Sequence, residues 1–212
     1  MGAVTVAKLE RAKEPEDAAQ ATSGGRRKPG DEEIERALEQ EDRRAAVILC
    51  SRHHGAAIGR LCMAMLGSQQ DAEDIAQETL IDAHDALATW RGEGSIRGFL
   101  MTIARRKCAR LIEKRSRRTA KLRLVHDAEK APPSDEHPDK QLLLKQRGKR
   151  ARAALAVLRP SEREALLLRY GTGLSFREVG AACGIDEAAA RKRVSRAIAR
   201  LRETLREEES HD

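Results

Sequence analysis

The stretch SFREVGAACGIDEAAARKRVSRAIARL, Ser175 to Leu201, decides the fold. A short helical segment, SFREVGAAC, leads to a turn around Gly184, Ile185 and Asp186 and then to the long run EAAARKRVSRAIARLRETL. That length and spacing are those of a helix-turn-helix. In the second helix Ala190, Val194, Ala197, Leu201 and Leu205 recur at helical spacing and form a narrow apolar stripe. Arg191, Lys192, Arg193, Arg196, Arg200, Arg202 and Arg206 spread around the rest. When such a helix docks in a major groove its first turns reach base edges, which places Arg191, Lys192, Ser195 and Arg196 for reading duplex DNA, with Arg200 next along the helix. The distal Arg202 and Arg206 are left for phosphates.

Upstream, Pro160-Ser161-Glu162 reads as the start of a helix running through Tyr170, and GTGLS, Gly171 to Ser175, breaks it. Leu142 to Leu158 is also helical in pattern. The segment DAEKAPPSDEHPD, Asp127 to Asp139, has three prolines and five acids against one lysine, the composition of an extended linker. Before it a helix runs from about Ile96 to Arg118, preceded by the glycine-containing loop TWRGEGS, Thr89 to Ser95, and by a helix that begins near Asp71. From Asp31 to Gly67 the pattern is again helical, with an interruption expected near Gly55. Residues 1–30 have too few large apolar side chains to offset chain entropy and read as a flexible tail. No strand pattern is present. The expected fold is all-α: two small helical domains, 31–122 and 142–206, joined by a flexible linker over 123–141, the second domain a helix-turn-helix, with a short tail at 207–212.

Lys and Arg number 41 against 34 Asp and Glu, a formal net charge of +7, which points to an anionic partner and first of all to nucleic acid. Aromatic residues are only 2% of the chain, which argues against a single-strand binder built mainly from stacking platforms and singles out Trp90. No apolar run approaches the roughly 18 residues of a membrane span, and the N-terminus lacks the apolar core of a secretory signal, so a cytoplasmic protein without membrane insertion is expected. Cys50, Cys62, Cys108 and Cys183 stand singly, without a CxxC pair, and are expected as free thiols. No cofactor and no metal is expected.

Charge is segregated along the chain. DAEDIAQETLIDAHDAL, Asp71 to Leu87, carries six acids and no lysine or arginine. On a helix Asp71, Asp74, Glu78, Asp82 and Asp85 fall within roughly an 80° arc, with Ala76, Leu80, Ala83 and Leu87 gathered opposite. Gln77 and Ile81 border this stripe, which suits a basic protein partner and repels DNA. A merely solvated face is the plain alternative. The next helix inverts the sign: Arg105 to Lys121 holds nine lysines and arginines and one acid, Glu113. Ile96, Phe99, Leu100, Ile103 and Leu111 supply its core side, and Arg106, Arg110 and Lys114 align at i, i+4 spacing on another face, where phosphate contact relieves their repulsion.

Taken in order, DAEDIAQETLIDAHDAL, TWRGEGSIRGFLMTIARRKCARLIEKRSRR and LRPSEREALLLRYGTGLSFREVGAACGIDEAAARKRVSRAIARLR resemble a bacterial RNA polymerase sigma factor of the compact extracytoplasmic-function (ECF) group, over about residues 40–206. The resemblance implies that the acidic helix docks on the clamp-helix coiled coil of the largest polymerase subunit, with Asp74, Gln77, Glu78, Ile81 and Asp82 at the contact. It implies that the following loop and basic helix capture the start-proximal promoter element as it melts, through Trp90, Arg91, Ser95, Arg105, Arg106, Arg110 and Lys114. Core RNA polymerase and promoter DNA are then the partners, with an anti-sigma factor a further one, and the chain would join the nucleoid in holoenzyme. The chain departs from the family pattern at Arg106, where asparagine is common, at Phe99, where tryptophan is usual, and at Ala188-Ala189, where Gly-Thr often opens the recognition helix.

Two other readings compete. A helix-turn-helix regulator that works without polymerase accounts for the C-terminal half but leaves the acidic helix unexplained. A metal-dependent hydrolase would draw on Cys50, His53, His54 and nearby carboxylates, although adjacent histidines point about 100° apart on a helix.

Overall fold

The computed structural model describes residues 30–90, 92, 94–123 and 153–209. Among them every regular element is helical. In chain order these are α1 (Asp31–Glu39), α2 (Arg43–Leu66), α3 (Gln69–Ala86) with a 3-10 turn (Leu87–Thr89), α4 (Ile96–Arg123), α5 (Pro160–Leu166) continued by a π-helical turn (Leu167–Gly171), α6 (Phe176–Cys183) and α7 (Glu187–Glu209). The expected N-terminal tail up to residue 29, the linker from residue 124 onward and most of the Leu142–Leu158 segment lie outside the described residues. By contrast, α4 continues to Arg123 and α7 to Glu209, past the expected ends of the two domains at 122 and 206.

The long N-terminal helix divides where the sequence did not indicate. It runs unbroken through Gly55 and breaks at Gln40–Asp42, where Glu41 takes a positive φ of 58°. Asp42 restarts the helix by accepting a hydrogen bond from the Ala45 N–H at 2.8 Å, which satisfies one of the donors every helix start leaves over. Gly55 costs little in place, because α2 is held by packing on α1, α3 and α4 rather than by propensity. Ser68 caps α3, whose first residue, Gln69, lies two ahead of the expected start near Asp71.

The first unit packs α2, α3 and α4 around Ile58, Leu61, Ile96, Leu100 and Met101, all buried. The buried face of α3 is Ala72, Ile75, Thr79 and Ala83, with Ala76 and Leu80 only half-buried. Flanked by both α2 and α4, the helix turns a face nearer the acid stripe inward than the apolar residues alone indicated. Thr79 is tolerated there because its hydroxyl donates to the Ile75 carbonyl at 2.7 Å.

In the second unit, α7 lies against α5 and α6. Ala190, Val194, Ala197 and Leu201 are buried, as the apolar stripe required. The turn before α7 depends on two glycines. Gly184 adopts φ 69°, and a Cβ on Gly180 would lie 2.7 Å from the Ile185 carbonyl oxygen, so the turn folds back on α6 at a distance no side chain permits. Asp186 then caps α7 through the Ala189 N–H at 2.6 Å. The two units touch: α4 packs on α6, and α2 on the π-helical turn.

Candidate protein and nucleic-acid interfaces

On α3 the face opposite the core is exposed along its whole length: Asp74, Gln77, Glu78, Ile81, Asp82 and Asp85 all face solvent, and Ile81 is 67% exposed. An isoleucine this open, ringed by carboxylates and an amide, forms an apolar spot inside an anionic face. Two of the carboxylates are positioned by the next helix. The Lys107 ammonium lies 3.1 Å from Glu78 and 2.8 Å from Asp82. Burial works to lower the Lys107 pKa, but the bonds to Asp82 and Glu78 outweigh it and raise it. Arg115 clamps Asp71 through two bonds of 2.7 Å, and that guanidinium holds the Asp71 carboxyl below its usual value. The acid stripe therefore has an intramolecular edge, at Asp71 and Lys107, and an outward centre around Asp74 and Ile81.

The basic helix α4 presents Arg106, Arg110 and Lys114 on one exposed face, as the i, i+4 spacing indicated. Arg105, adjacent to Arg106 in sequence, is turned the other way and engaged. Its Nε and Nη2 bond the two oxygens of Glu164 at 2.6 and 3.1 Å, and its Nη1 donates to the Ala182 carbonyl at 2.9 Å. Ser95, buried at the start of α4, accepts from the Gly98 N–H at 3.0 Å and donates to Glu178. Trp90 is half-buried against the core, with its indole N–H enclosed and without a hydrogen-bond partner. Arg91 lies outside the described residues.

Along α7 the residues expected at duplex DNA divide into two sets. Lys192, Ser195 and Arg196 are exposed. Arg191 is exposed too but held in place, 2.9 Å from Glu187 and with its guanidinium 4.5 Å from the centre of the Phe176 ring. The Arg169 guanidinium lies 4.7 Å from the centre of the same ring, so Phe176 receives two cations. Arg200 reaches back to Glu162 of α5, 3.3 Å away, a carboxylate only 3% exposed that also accepts from the Arg159 N–H. Of these partners only Glu187, four residues before Arg191 on the same helix, was readable from spacing. Phe176 and Glu162 lie on other elements, and each cation looks alike until such a neighbour in space is known.

The histidines of α2 belong to structure. His54 Nε2 lies 3.0 Å from Asp31 with both side chains buried, and His53 Nε2 lies 3.1 Å from Glu33. Together the pairs fasten α1 onto α2. Burial, aided by the Asp31 charge, pushes the Cys50 thiol up to about 12, which leaves it unreactive as a nucleophile.

Comparison with known proteins places this geometry. The family models described as Sigma-70 region 2 and Sigma-70, region 4 match residues 51–118 and 148–201. The chain is 33% identical to the ECF RNA polymerase sigma factor SigF of Caulobacter vibrioides over 142 residues, covering 67% of this chain and 75% of that protein. The chain belongs to the ECF RNA polymerase sigma factors. It is also 30% identical over 154 residues to the ECF sigma factor SigE of Mycolicibacterium smegmatis, covering 73% of this chain but 59% of that longer protein. The fold matches that of the sigma factor RpoE of Bartonella quintana, solved in complex with the anti-sigma factor NepR, with a TM-score of 0.59 at 24% identity over 81% of this chain and 98% of that one. In these terms α2 to α4 make up region 2 and α5 to α7 region 4. No helix among the described residues is long and apolar enough to cross a membrane.

Proposed function

We propose that this sigma factor docks on core RNA polymerase through the exposed face of α3 and directs initiation at a restricted set of promoters. The observation that carries the reading is the setting of Ile81, exposed between Asp74, Gln77, Glu78 and Asp82. An apolar contact inside a ring of carboxylates is the complement of a basic protein surface, and the charge pattern excludes the DNA itself from that face.

Residues 31–122 form the domain that binds polymerase and the melted element, and residues 142–206 the domain that binds the upstream duplex. Trp90, Arg91 and Ser95 are assigned to strand capture, and Arg105, Arg106, Arg110 and Lys114 to the captured backbone. Arg191, Lys192, Ser195, Arg196 and Arg200 form the duplex-facing set, with Lys192, Ser195 and Arg196 the most open to base edges. Flipping a base out of the stack costs a few kcal/mol, which phosphate contacts and a base pocket offset. The chain is not an enzyme by itself, since bond formation belongs to polymerase. It acts in the cytoplasm, at the nucleoid when in holoenzyme. An anti-sigma factor covering the same surfaces is a further partner, a reading supported by the complex in which the Bartonella protein was solved.

The test is gel filtration of the full chain with purified core polymerase, followed by transcription from a genomic fragment library with and without the chain. Co-elution and new start sites are expected. Specific duplex binding without any association with core polymerase would transfer the reading to a polymerase-independent regulator.

A further inference from the structure

The contact between α4 and the second unit falls on residues assigned above to strand capture. Arg105 has each guanidinium nitrogen bonded, two to Glu164 and one to the Ala182 carbonyl in the last turn of α6. A cation there also satisfies a helix end that lacks donors of its own. Only 21% of the Arg105 side chain and 14% of Glu164 is exposed. Burial works to lower the Arg105 pKa, and the bonds and charge of Glu164 more than reverse it. One helical stretch earlier, the Ser95 hydroxyl donates to Glu178 Oε1, while Glu178 Oε2 accepts from Ser175 and so caps α6. A Cβ on Gly98 would stand 3.1 Å from Glu178 Oε1 and 3.4 Å from its Cγ, so the glutamate lies directly on the α4 backbone.

Ser95, Gly98 and Arg105 thus share one face of α4, and that face is covered by two carboxylates of region 4. We infer that Glu164 and Glu178 form an intramolecular latch that holds region 4 over the strand-capture face of region 2 in the free chain. The inference rests on the proposed role of Ser95 and Arg105 in strand capture. Carboxylates set against a guanidinium and a hydroxyl occupy the donors a nucleic-acid phosphate would need, since both groups are anionic and offer paired acceptor oxygens. The latch leaves the docking face of α3 open, since Asp74, Gln77, Glu78, Ile81 and Asp82 are all exposed with the latch closed. Polymerase can therefore engage α3 before the latch opens, and capture of single-stranded DNA follows opening.

A closed state that excludes a ligand lowers the apparent affinity by the fraction of chains that are open, so loosening the latch must raise it. The full chain is labelled with a donor and an acceptor fluorophore at the exposed positions 44 and 203, and Glu164→Ala is compared with the parent and with the isosteric Glu164→Gln. Circular dichroism confirms that the helices persist. The probe is a non-template-strand oligonucleotide spanning the start-proximal element of a promoter found in the library experiment. Glu164→Ala is expected to change energy transfer in the free chain and to bind the oligonucleotide about tenfold more tightly, the effect of removing one bidentate charged pair, with Glu164→Gln intermediate. Unchanged transfer in both variants overturns the latch. Altered transfer with oligonucleotide affinity unchanged or lower overturns the masking. Altered transfer when neither parent nor variant binds the oligonucleotide overturns the strand-capture assignment beneath it, while leaving polymerase docking through α3 to be judged by co-elution.

Discussion

Replacing Arg200 by alanine separates two roles that a surface arginine on a recognition helix can have. Its guanidinium lies 3.3 Å from Glu162, whose carboxylate is 3% exposed and has as its other hydrogen bond the Arg159 N–H at 3.3 Å. Removing one partner of a fully buried ion pair costs about 3–5 kcal/mol, because the remaining charge is stranded. Here the Arg200 side chain is 36% exposed, so water reaches the pair from one side and the cost falls to about 2 kcal/mol. For a chain of this size, with about 2–4 °C lost per kcal/mol, the melting temperature of Arg200→Ala should drop by about 4–8 °C. Its affinity for upstream duplex DNA, measured by fluorescence anisotropy well below the transition, should change less than that of Arg196→Ala. Arg196 is exposed and bonds only weakly to its own helix, at 3.4 Å to the Lys192 carbonyl, so Arg196→Ala should leave stability unchanged. It should weaken binding to the best upstream element by about 1–3 kcal/mol and relax sequence preference there. A double-mutant cycle with Glu162→Gln completes the assignment, since a real pair gives non-additive losses. If Arg200→Ala melts like the parent and loses DNA binding, the ion pair contributes nothing and Arg200 is a DNA contact first.

Asp74→Lys together with Ile81→Ala should abolish co-elution with core polymerase while circular dichroism stays unchanged, because both side chains face solvent; retained binding would reduce the α3 face to a solvated surface. Trp90→Ala and Arg106→Ala should impair open-complex formation more than closed-complex formation, with partial rescue on a pre-melted promoter, and equal losses on both templates count against strand capture. Arg206→Ala should weaken all duplex sequences alike and reduce the slope of log affinity against log salt by about one. The Asp71–Arg115 clamp gives a pH dependence. The folded carboxyl titrates below its usual 3.8, so its stabilisation is complete above that value and is lost as the pH falls through the lower folded value. Asp71→Asn should flatten that part of the acid-unfolding profile and leave the neutral-to-alkaline side unchanged.

The sequence by itself determined the helices and the signs of their faces. Apolar spacing fixed Ala190, Val194, Ala197 and Leu201 as the buried edge of α7, and the run of acids followed by a run of bases fixed α3 as anionic and α4 as cationic. These are local properties, set by a period of 3.6 residues and readable within one element. Even locally there were limits. The break at Gln40–Asp42 is not legible in the sequence, because a cap at Asp42 has no stronger signature than a glycine in mid-helix, and packing rather than propensity decides between them. Only the tertiary structure decided which charges are free. Arg105 and Arg106 are chemically identical neighbours, yet about 100° of helical rotation turns one onto Glu164, 59 residues away in sequence, and leaves the other in solvent. Arg196 and Arg200 divide in the same way, through Glu162. A charge's sign is written in the chain, but its partner lies across an interface between elements, where distance and burial set whether it binds the protein or something else.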